Sequence, residues 1–215
     1  MHCGPTPGYA GAMKLHGTAV SPYARKVRLM VLEKGIACEE VLYPDLSDPN
    51  SAAKRLNPLG KVPVLELDDG TALFDSVVIA EYLEAMSGPR LIPVLGPLRW
   101  QTLTTAALAD GLMDAVVTRL LEKRRDLALQ AESVFDKEEA RVAHILETLA
   151  GLTNPERPFL CGDGLTLADL AVAAAIGYLD FRYPHDWRAT HLNVAAWFEA
   201  ISMRPSLVQT APPVA

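Results

Sequence analysis

The chain has 215 residues, of which 50% are hydrophobic and 21% charged, a composition typical of a globular protein and a length that suits two domains. The net charge of −6 at pH 7 argues against a nucleic acid partner, because a phosphate backbone would be repelled. No apolar run reaches the roughly 20 residues that span a bilayer, so no membrane partner is expected either.

Residues 1–12 are rich in Gly and Pro and show no helical or strand period, so we expect a loose extension before Met13. This segment lacks the cationic and apolar regions of a secretory signal. The three cysteines, Cys3, Cys38 and Cys161, are an odd number without metal-ligand spacing. That pattern favours a reducing compartment and predicts a cytoplasmic protein without a metal.

Strand and helix patterns alternate from residue 13 to residue 88, the first predicted domain. The strands are predicted at Met13–Thr18, Cys38–Tyr43, Val62–Leu67 and Thr71–Phe74, and the helices at Tyr23–Lys34, Asp48–Leu56 and Asp75–Ser87. Asp68-Asp69-Gly70 predicts a tight turn, which makes the last two strands antiparallel. The predicted order is therefore βαβαββα.

A linker with several prolines is predicted at residues 89–97, followed by an all-helical domain at residues 98–210. Its helices are predicted at residues 98–125, around Val142–Leu149 with Gly151 as the stop, at Thr166–Leu179 and at Asn193–Met203. Thr166 and Asp169 fit a capping box, which makes Asp169 a folding residue rather than a catalytic acid.

Ser21-Pro22 stands at the start of the first helix. Capping alone would explain both residues. A helix N-terminus also favours a bound thiolate, and the Ser21 hydroxyl would lower the pKa of that thiol by hydrogen bonding to the sulfur. Thr18 is a second hydroxyl candidate, ranked below Ser21.

Two further segments suggest a binding site at one end of the sheet. Pro63 stands near the start of an otherwise apolar strand, which predicts a cis bond between Val62 and Pro63. Such a bond would expose the backbone N–H and C=O of Val62 to a bound peptide. The alternative is an ordinary edge-strand proline. Asp75-Ser76 starts another helix, where capping is again a sufficient explanation. If the segments converge, they suit a short ligand with a thiol and carboxylates.

The order and spacing of these segments resemble the cytosolic glutathione transferase family. The resemblance runs from about Met13 to Arg204 and rests on Ser21-Pro22-Tyr23, Glu33-Lys34-Gly35-Ile36, Asn57-Pro58, Lys61-Val62-Pro63-Val64-Leu65, Asp75-Ser76 and Ile79-Ala80-Glu81-Tyr82-Leu83. It implies an α/β plus all-α fold, in which a thioredoxin-like domain precedes an all-helical one and glutathione lies in the cleft between them.

The resemblance also implies roles for single residues. Ser21 becomes the catalytic hydroxyl, and the glutathione-binding residues become Lys61, Val62, Pro63, Asp75, Ser76 and, across a homodimer interface, Asp110. Asp75 departs from the family, where Glu or Gln is more usual. Helix phase alone places Tyr23, Val116 and Leu120 in the pocket of the electrophile.

The function implied is conjugation of the glutathione thiolate to a small hydrophobic electrophile in detoxification. A glutathione-dependent peroxidase, isomerase or dehalogenase on the same scaffold remains an alternative, as does a non-catalytic binding or interaction protein. Thiol–disulfide exchange is disfavoured, because Ser21 and Ala24 stand where glutaredoxins have their two cysteines.

Overall fold

The computed structural model describes residues 12–48, 50–86, 88–183 and 186–213. Almost all of the predicted extension, Cys3 with it, lies outside these residues. The chain divides into two compact units, Met1–Pro89 and Arg90–Ala215.

The first unit is a four-stranded mixed sheet with three helices. Its elements are β1 (Lys14–Thr18), α1 (Pro22–Lys34), β2 (Glu39–Tyr43), α2 (Ala52–Leu56), β3 (Val64–Glu66), β4 (Ala72–Leu73) and α3 (Ser76–Ala85). The strands lie in the order β2-β1-β3-β4, and only the pair β1–β2 is parallel. The predicted βαβαββα order is confirmed. Pro63 precedes a strand with neighbours on both sides, so the edge-strand interpretation is wrong.

Local sequence explains where α1 begins and ends. The Ser21 side chain accepts a hydrogen bond from the backbone N–H of Ala24 at 3.2 Å, and Pro22 occupies the first turn, where its missing N–H costs nothing. Gly35 ends the helix with φ of 64°, a left-handed conformation that glycine adopts without a Cβ penalty. The side chains of Val27, Leu29 and Met30 are buried in the core and pack the helix there.

The end of the first unit is tied back to α1. The Lys34 ammonium donates to the backbone carbonyl of Pro89 at 2.8 Å and lies 3.5 Å from the carboxylate of Glu84. Gly88 has φ of 107°, and a Cβ at this position would lie 2.5 Å from the carbonyl oxygen of Lys34. A larger residue therefore does not fit where the chain passes α1.

All the regular elements in the described part of the second unit are helical. It contains α4 (Pro97–Lys123), a 3₁₀ turn (Leu127–Leu129), α5 (Glu132–Leu152), α6 (Leu167–Arg182), α7 (Trp187–Thr190), α8 (Leu192–Ser202) and α9 (Pro205–Gln209). Helix α6 packs against α4 and is buried along nearly its whole length, as its alanine-rich sequence suggests. A helix that is apolar on all sides lies in the interior.

The helices of this unit differ from the predicted ones in two respects. Gly151 does not stop α5, which continues to Leu152. The 3₁₀ turn, α7 and α9 were not predicted, since segments of three to five residues are too short for a period to show. Leu91 and Ile92 of the predicted linker are buried, and the N–H of Leu167 donates to the carbonyl of Leu91 at 2.8 Å.

Asp169 is a folding residue, as predicted. Its fully buried carboxylate accepts hydrogen bonds from the backbone N–H and the hydroxyl of Thr166, at 2.8 and 2.9 Å, and from the N–H of Leu160 at 2.8 Å. These bonds form the capping box of α6 and fix the loop that precedes it.

In the described part of the chain, no helix is both long enough and apolar enough to cross a membrane.

Candidate functional site

Three segments of the first unit meet at one end of the sheet. Strand β1 runs past His16, which pairs with Val64 at the start of β3, and leads to the Ser21 turn. Strand β4 is antiparallel to β3 and pairs Leu73 with Leu65. Its last residue therefore lies at the same end of the sheet as the first residue of β3, and the chain continues into Asp75-Ser76. The convergence predicted from the sequence is present in the structure.

Ser21 is the better placed of the two hydroxyl residues. It is partly exposed, whereas Thr18 is only 6% exposed at the end of β1. The Ser21 oxygen accepts from the N–H of Ala24, and this bond leaves the hydroxyl hydrogen available for a second partner. A serine at a helix start can thus cap the helix and donate a hydrogen bond to an anion.

The backbone of Val62 is presented by an ordered loop. The Val62–Pro63 bond is cis, as predicted, and the N–H and C=O of Val62 make no hydrogen bond to the described residues. Asn57 holds the loop, since its amide donates to the carbonyl of Lys61 at 2.8 Å and its side-chain oxygen accepts from the N–H of Leu59 at 2.9 Å. Val62 is therefore free to pair with an extended peptide.

Asn57 positions the loop that presents Val62, a role that was not predicted from the sequence. It is 1% exposed, and both ends of its amide are used within the loop. The signal was the Asn57-Pro58-Leu59-Gly60 turn sequence, in which Gly60 adopts φ of 65°.

Asp75 and Ser76 form the start of α3. The Asp75 carboxylate accepts from the N–H of Val77 at 3.0 Å, so it caps the helix. Ser76 is buried, and its N–H donates to no acceptor among the described residues. A free N–H beside a serine hydroxyl at a helix start is suited to a carboxylate.

The remaining predicted residues fall on both units. Lys61 is exposed in the loop before Val62, and Tyr23 is half-buried on α1. In the second unit, Val116 and Leu120 lie on α4 and line one pocket, and Asp110 is half-buried two turns earlier on the same helix. The pocket also has basic lining residues, Arg119 and Lys123 of α4 and Arg182 of α6, which the helix phase of apolar residues did not reveal.

The cysteines described are poor nucleophiles. Burial raises the pKa of the Cys38 thiol to about 11, and the carboxylates of Glu39 and Glu40 add to that effect. Burial also raises the pKa of Cys161, whose thiol lies against Thr105 inside the helical unit. A thiol exchanges disulfides through its thiolate, so neither residue suits that chemistry.

Within the described residues, no group of His, Cys, Asp and Glu side chains is arranged to hold a metal ion. His16 has a structural role instead. Its two ring nitrogens are engaged by the Tyr43 hydroxyl at 2.8 Å and the Glu66 carboxylate at 2.9 Å, bonds that join three strands of the sheet.

Comparison with known proteins identifies the class to which this fold belongs. Residues 20–86 match the glutathione S-transferase N-terminal domain, and residues 115–200 match the glutathione S-transferase C-terminal domain. The chain therefore belongs to the glutathione S-transferase family.

Relatives match over nearly the whole chain. The uncharacterized GST-like protein YibF of Escherichia coli (strain K12) is 37% identical over 94% of this chain and 100% of its own length. The crystal structure of a glutathione S-transferase from Methylobacillus flagellatus KT, with glutathione bound, has a TM-score of 0.89 and 38% identity over 94% of this chain and 100% of that one. A family member from Pseudomonas fluorescens Pf-5, with bound S-(propanoic acid)-glutathione, has a TM-score of 0.80 and 37% identity over 95% and 99%.

Proposed function

We propose that the protein is a glutathione transferase that binds glutathione on the first unit and joins its thiolate to a small electrophile. The thiol proton leaves to solvent, the sulfur forms a bond to an electrophilic carbon, and the leaving group departs with the bonding electron pair. The observation that carries the proposal is the convergence of Ser21, Val62 and Ser76 at one end of the sheet. The glutathione bound in the related structures from Methylobacillus flagellatus and Pseudomonas fluorescens supports it.

Ser21 is the proposed catalytic residue. Its hydroxyl donates to the glutathione sulfur and, together with the N-terminus of α1, stabilises the thiolate relative to the thiol. A larger thiolate fraction near neutral pH gives more of the nucleophilic species.

The peptide part of glutathione is held mainly by main-chain groups. The free N–H and C=O of Val62, fixed by the cis bond to Pro63, pair with the cysteinyl unit as an added strand would. The N–H and hydroxyl of Ser76 bind the γ-glutamyl carboxylate, with Asp75 as the cap and the nearest candidate for the γ-glutamyl amine. Exposed Lys61 is assigned to the glycine carboxylate.

The side chains proposed to contact the electrophile are Tyr23, Val116 and Leu120. A homodimer is part of the proposal, with Asp110 reaching the γ-glutamyl amine of a glutathione bound by the partner. Removal of reactive electrophiles in the cytoplasm, where thiols are kept reduced, is the role that this chemistry fits.

Calorimetry with glutathione tests the binding site. The Ser76→Ala variant should weaken binding about 10- to 150-fold, because a hydrogen bond to a charged group contributes about 1.5–3 kcal/mol. Ser133→Ala, an exposed serine in the first turn of α5, is the matched control and should bind as the parent protein does. Cysteinylglycine lacks the γ-glutamyl unit, so binding as tight as that of glutathione would refute this assignment.

A panel of model electrophiles, assayed with and without glutathione, tests the reaction. Conjugation above the uncatalysed rate supports a transferase, and turnover of peroxides alone would reassign the protein to the peroxidase alternative. Glutathione binding without any turnover would leave a non-catalytic binding protein.

A further inference from the structure

The pocket in the second unit is basic as well as apolar. It encloses about 130 Å³ and is lined by Val116, Arg119, Leu120, Lys123, Arg182 and Tyr183. Three of these six side chains are cationic, and none is a carboxylate. A neutral hydrophobic electrophile would need no such lining.

The two arginines are held in place by aromatic rings. The guanidinium carbon of Arg119 lies 3.9 Å from the ring centre of Tyr183 and 5.2 Å from that of Phe135. The guanidinium carbon of Arg182 lies 4.1 Å from the ring centre of Phe181. Stacking fixes a guanidinium plane and leaves its N–H groups to bind in-plane acceptors.

Neither guanidinium is neutralised within the described residues. The Nε–H groups of Arg119 and Arg182 are buried and have no hydrogen-bond partner there. Neither side chain forms an ion pair, and the polar partner of the Arg182 side chain is the neutral hydroxyl of Tyr178. Other arginines in this chain of net charge −6 do find carboxylates, as Arg28 does with Glu40 at 2.6 Å and Arg188 with Asp180 at 2.7 Å. Neither guanidinium thus has a carboxylate within ion-pair distance among these residues, and an anionic group in the pocket would supply that counter-charge.

We propose that this pocket binds an anionic group of the electrophilic substrate, foremost a carboxylate, and so selects carboxylate-bearing electrophiles. The inference rests on the proposed transferase function and specifies its second substrate. The fork of an arginine matches a carboxylate, Lys123 adds positive charge at the exposed rim, and Val116 with Leu120 carry the carbon skeleton. The volume suits a small molecule, since drug-sized ligands occupy pockets of roughly 300–1,000 Å³.

The matched electrophiles 4-chloro-3-nitrobenzoate and 4-chloro-3-nitrobenzamide test the selectivity. In both, the thiolate attacks the chlorine-bearing carbon, the S–C bond forms, and chloride leaves with the electron pair of the C–Cl bond. The carboxylate itself is unchanged. Each kcat/KM is divided by the uncatalysed rate constant, because the two compounds differ in intrinsic reactivity.

The parent protein should favour the benzoate at least 10-fold at low ionic strength, and salt should reduce the preference. Arg119→Gln should lower the preference about 10-fold or more, Lys123→Gln should lower it less, and Arg119→Lys should retain part of it. Lys123 is exposed, so its variant keeps the test valid if Arg119→Gln fails to fold. Arg157→Gln, an exposed arginine outside the pocket, should leave the preference unchanged.

Calorimetry with two glutathione conjugates separates this inference from the proposed function. S-(2-carboxyethyl)glutathione should bind about 10-fold tighter than its amide, S-(2-carbamoylethyl)glutathione, and Arg119→Gln should remove the difference. Equal binding of the two conjugates would overturn the anionic pocket and leave the glutathione site intact. Failure of both to bind would refute the proposed function and this inference with it.

Discussion

At the residue scale, Ser21 caps α1 and is also the hydroxyl proposed to activate the glutathione thiol. Its oxygen caps α1 through the N–H of Ala24, and the same geometry leaves its proton for a ligand. The proposed chemistry therefore adds only one hydrogen bond to a cap that the helix needs in any case. The serine could be identified from the sequence as a cap, whereas its proposed catalytic role was inferred only together with Val62 and Ser76.

The pKa of Cys38 yields a prediction about reactivity. Burial raises this pKa to about 11, so the thiolate fraction at pH 8 is about 0.1%, against roughly 20% for an ordinary cysteine with a pKa near 8.5. Alkylation of Cys38 at pH 8 should be about 200-fold slower than that of a free thiol and should accelerate up to about pH 11. Mass spectrometry after timed iodoacetamide treatment, with N-acetylcysteine as the reference thiol, measures the ratio. Equal rates would show that the thiol is not protected by burial.

At the scale of elements, hydrogen-bonding side chains explain where helices begin better than segment length or hydrophobic periodicity does. The cap of α1 is a local sequence signal, and so is the capping box of α6, in which residues three apart bond each other. Both were predicted for that reason. Gly151 illustrates the reverse, because a glycine near a helix end is a stop only where the backbone turns left-handed, and the chain continues in α5.

The capping box of α6 should have a measurable effect on stability. Asp169→Ala removes the acceptor of three hydrogen bonds, two of them from backbone N–H groups, and should lower the free energy of unfolding by about 3 kcal/mol or more. Urea denaturation followed by circular dichroism measures the loss. Asp163→Ala, an exposed acid in the loop before α6, should change stability by less than about 0.5 kcal/mol. Equal effects of the two substitutions would refute the structural role of Asp169.

The site was less predictable than the fold for a physical reason. Register along the strands follows from alternating apolar residues, so the convergence of Ser21, Val62 and Ser76 could be anticipated. The basic pocket could not, because Arg119 and Arg182 lie on different helices and meet only through packing. Helix phase identified Val116 and Leu120, whereas charged residues on a helix are usually assigned to solvent.

At the scale of the whole molecule, apolar side chains at the surface support a dimer. Trp100 on α4 is 65% exposed, and Val77 and Val78 on α3 are 51% and 48% exposed. The proposed homodimer would bury side chains of this kind against a second copy and remove their apolar surface from water. Light scattering across the micromolar range should give twice the chain mass of 23.3 kDa. A monomer mass throughout would contradict the dimer and remove the proposed role of Asp110.

Glutathione is proposed to bind to the first unit as a thiolate that the Ser21 hydroxyl stabilises. The most direct measurement is the pH titration of the ultraviolet absorbance of enzyme-bound thiolate. Ser21→Ala should raise the pKa of the bound thiol by about one to two units and lower kcat/KM about 10- to 150-fold near neutral pH. Ser21→Gly should do the same at little cost in capping, while Ser21→Thr, which keeps a hydroxyl, should restore much of the effect.

Thr18→Val is the matched control for the second hydroxyl, and it should leave the titration curve in place because Thr18 is buried at the end of β1. A shifted curve is expected for Ser21→Ala and Ser21→Gly alone. A curve that is unmoved in both Ser21 variants would contradict activation by the Ser21 hydroxyl, and a shift in Thr18→Val instead would assign the activating hydroxyl to Thr18.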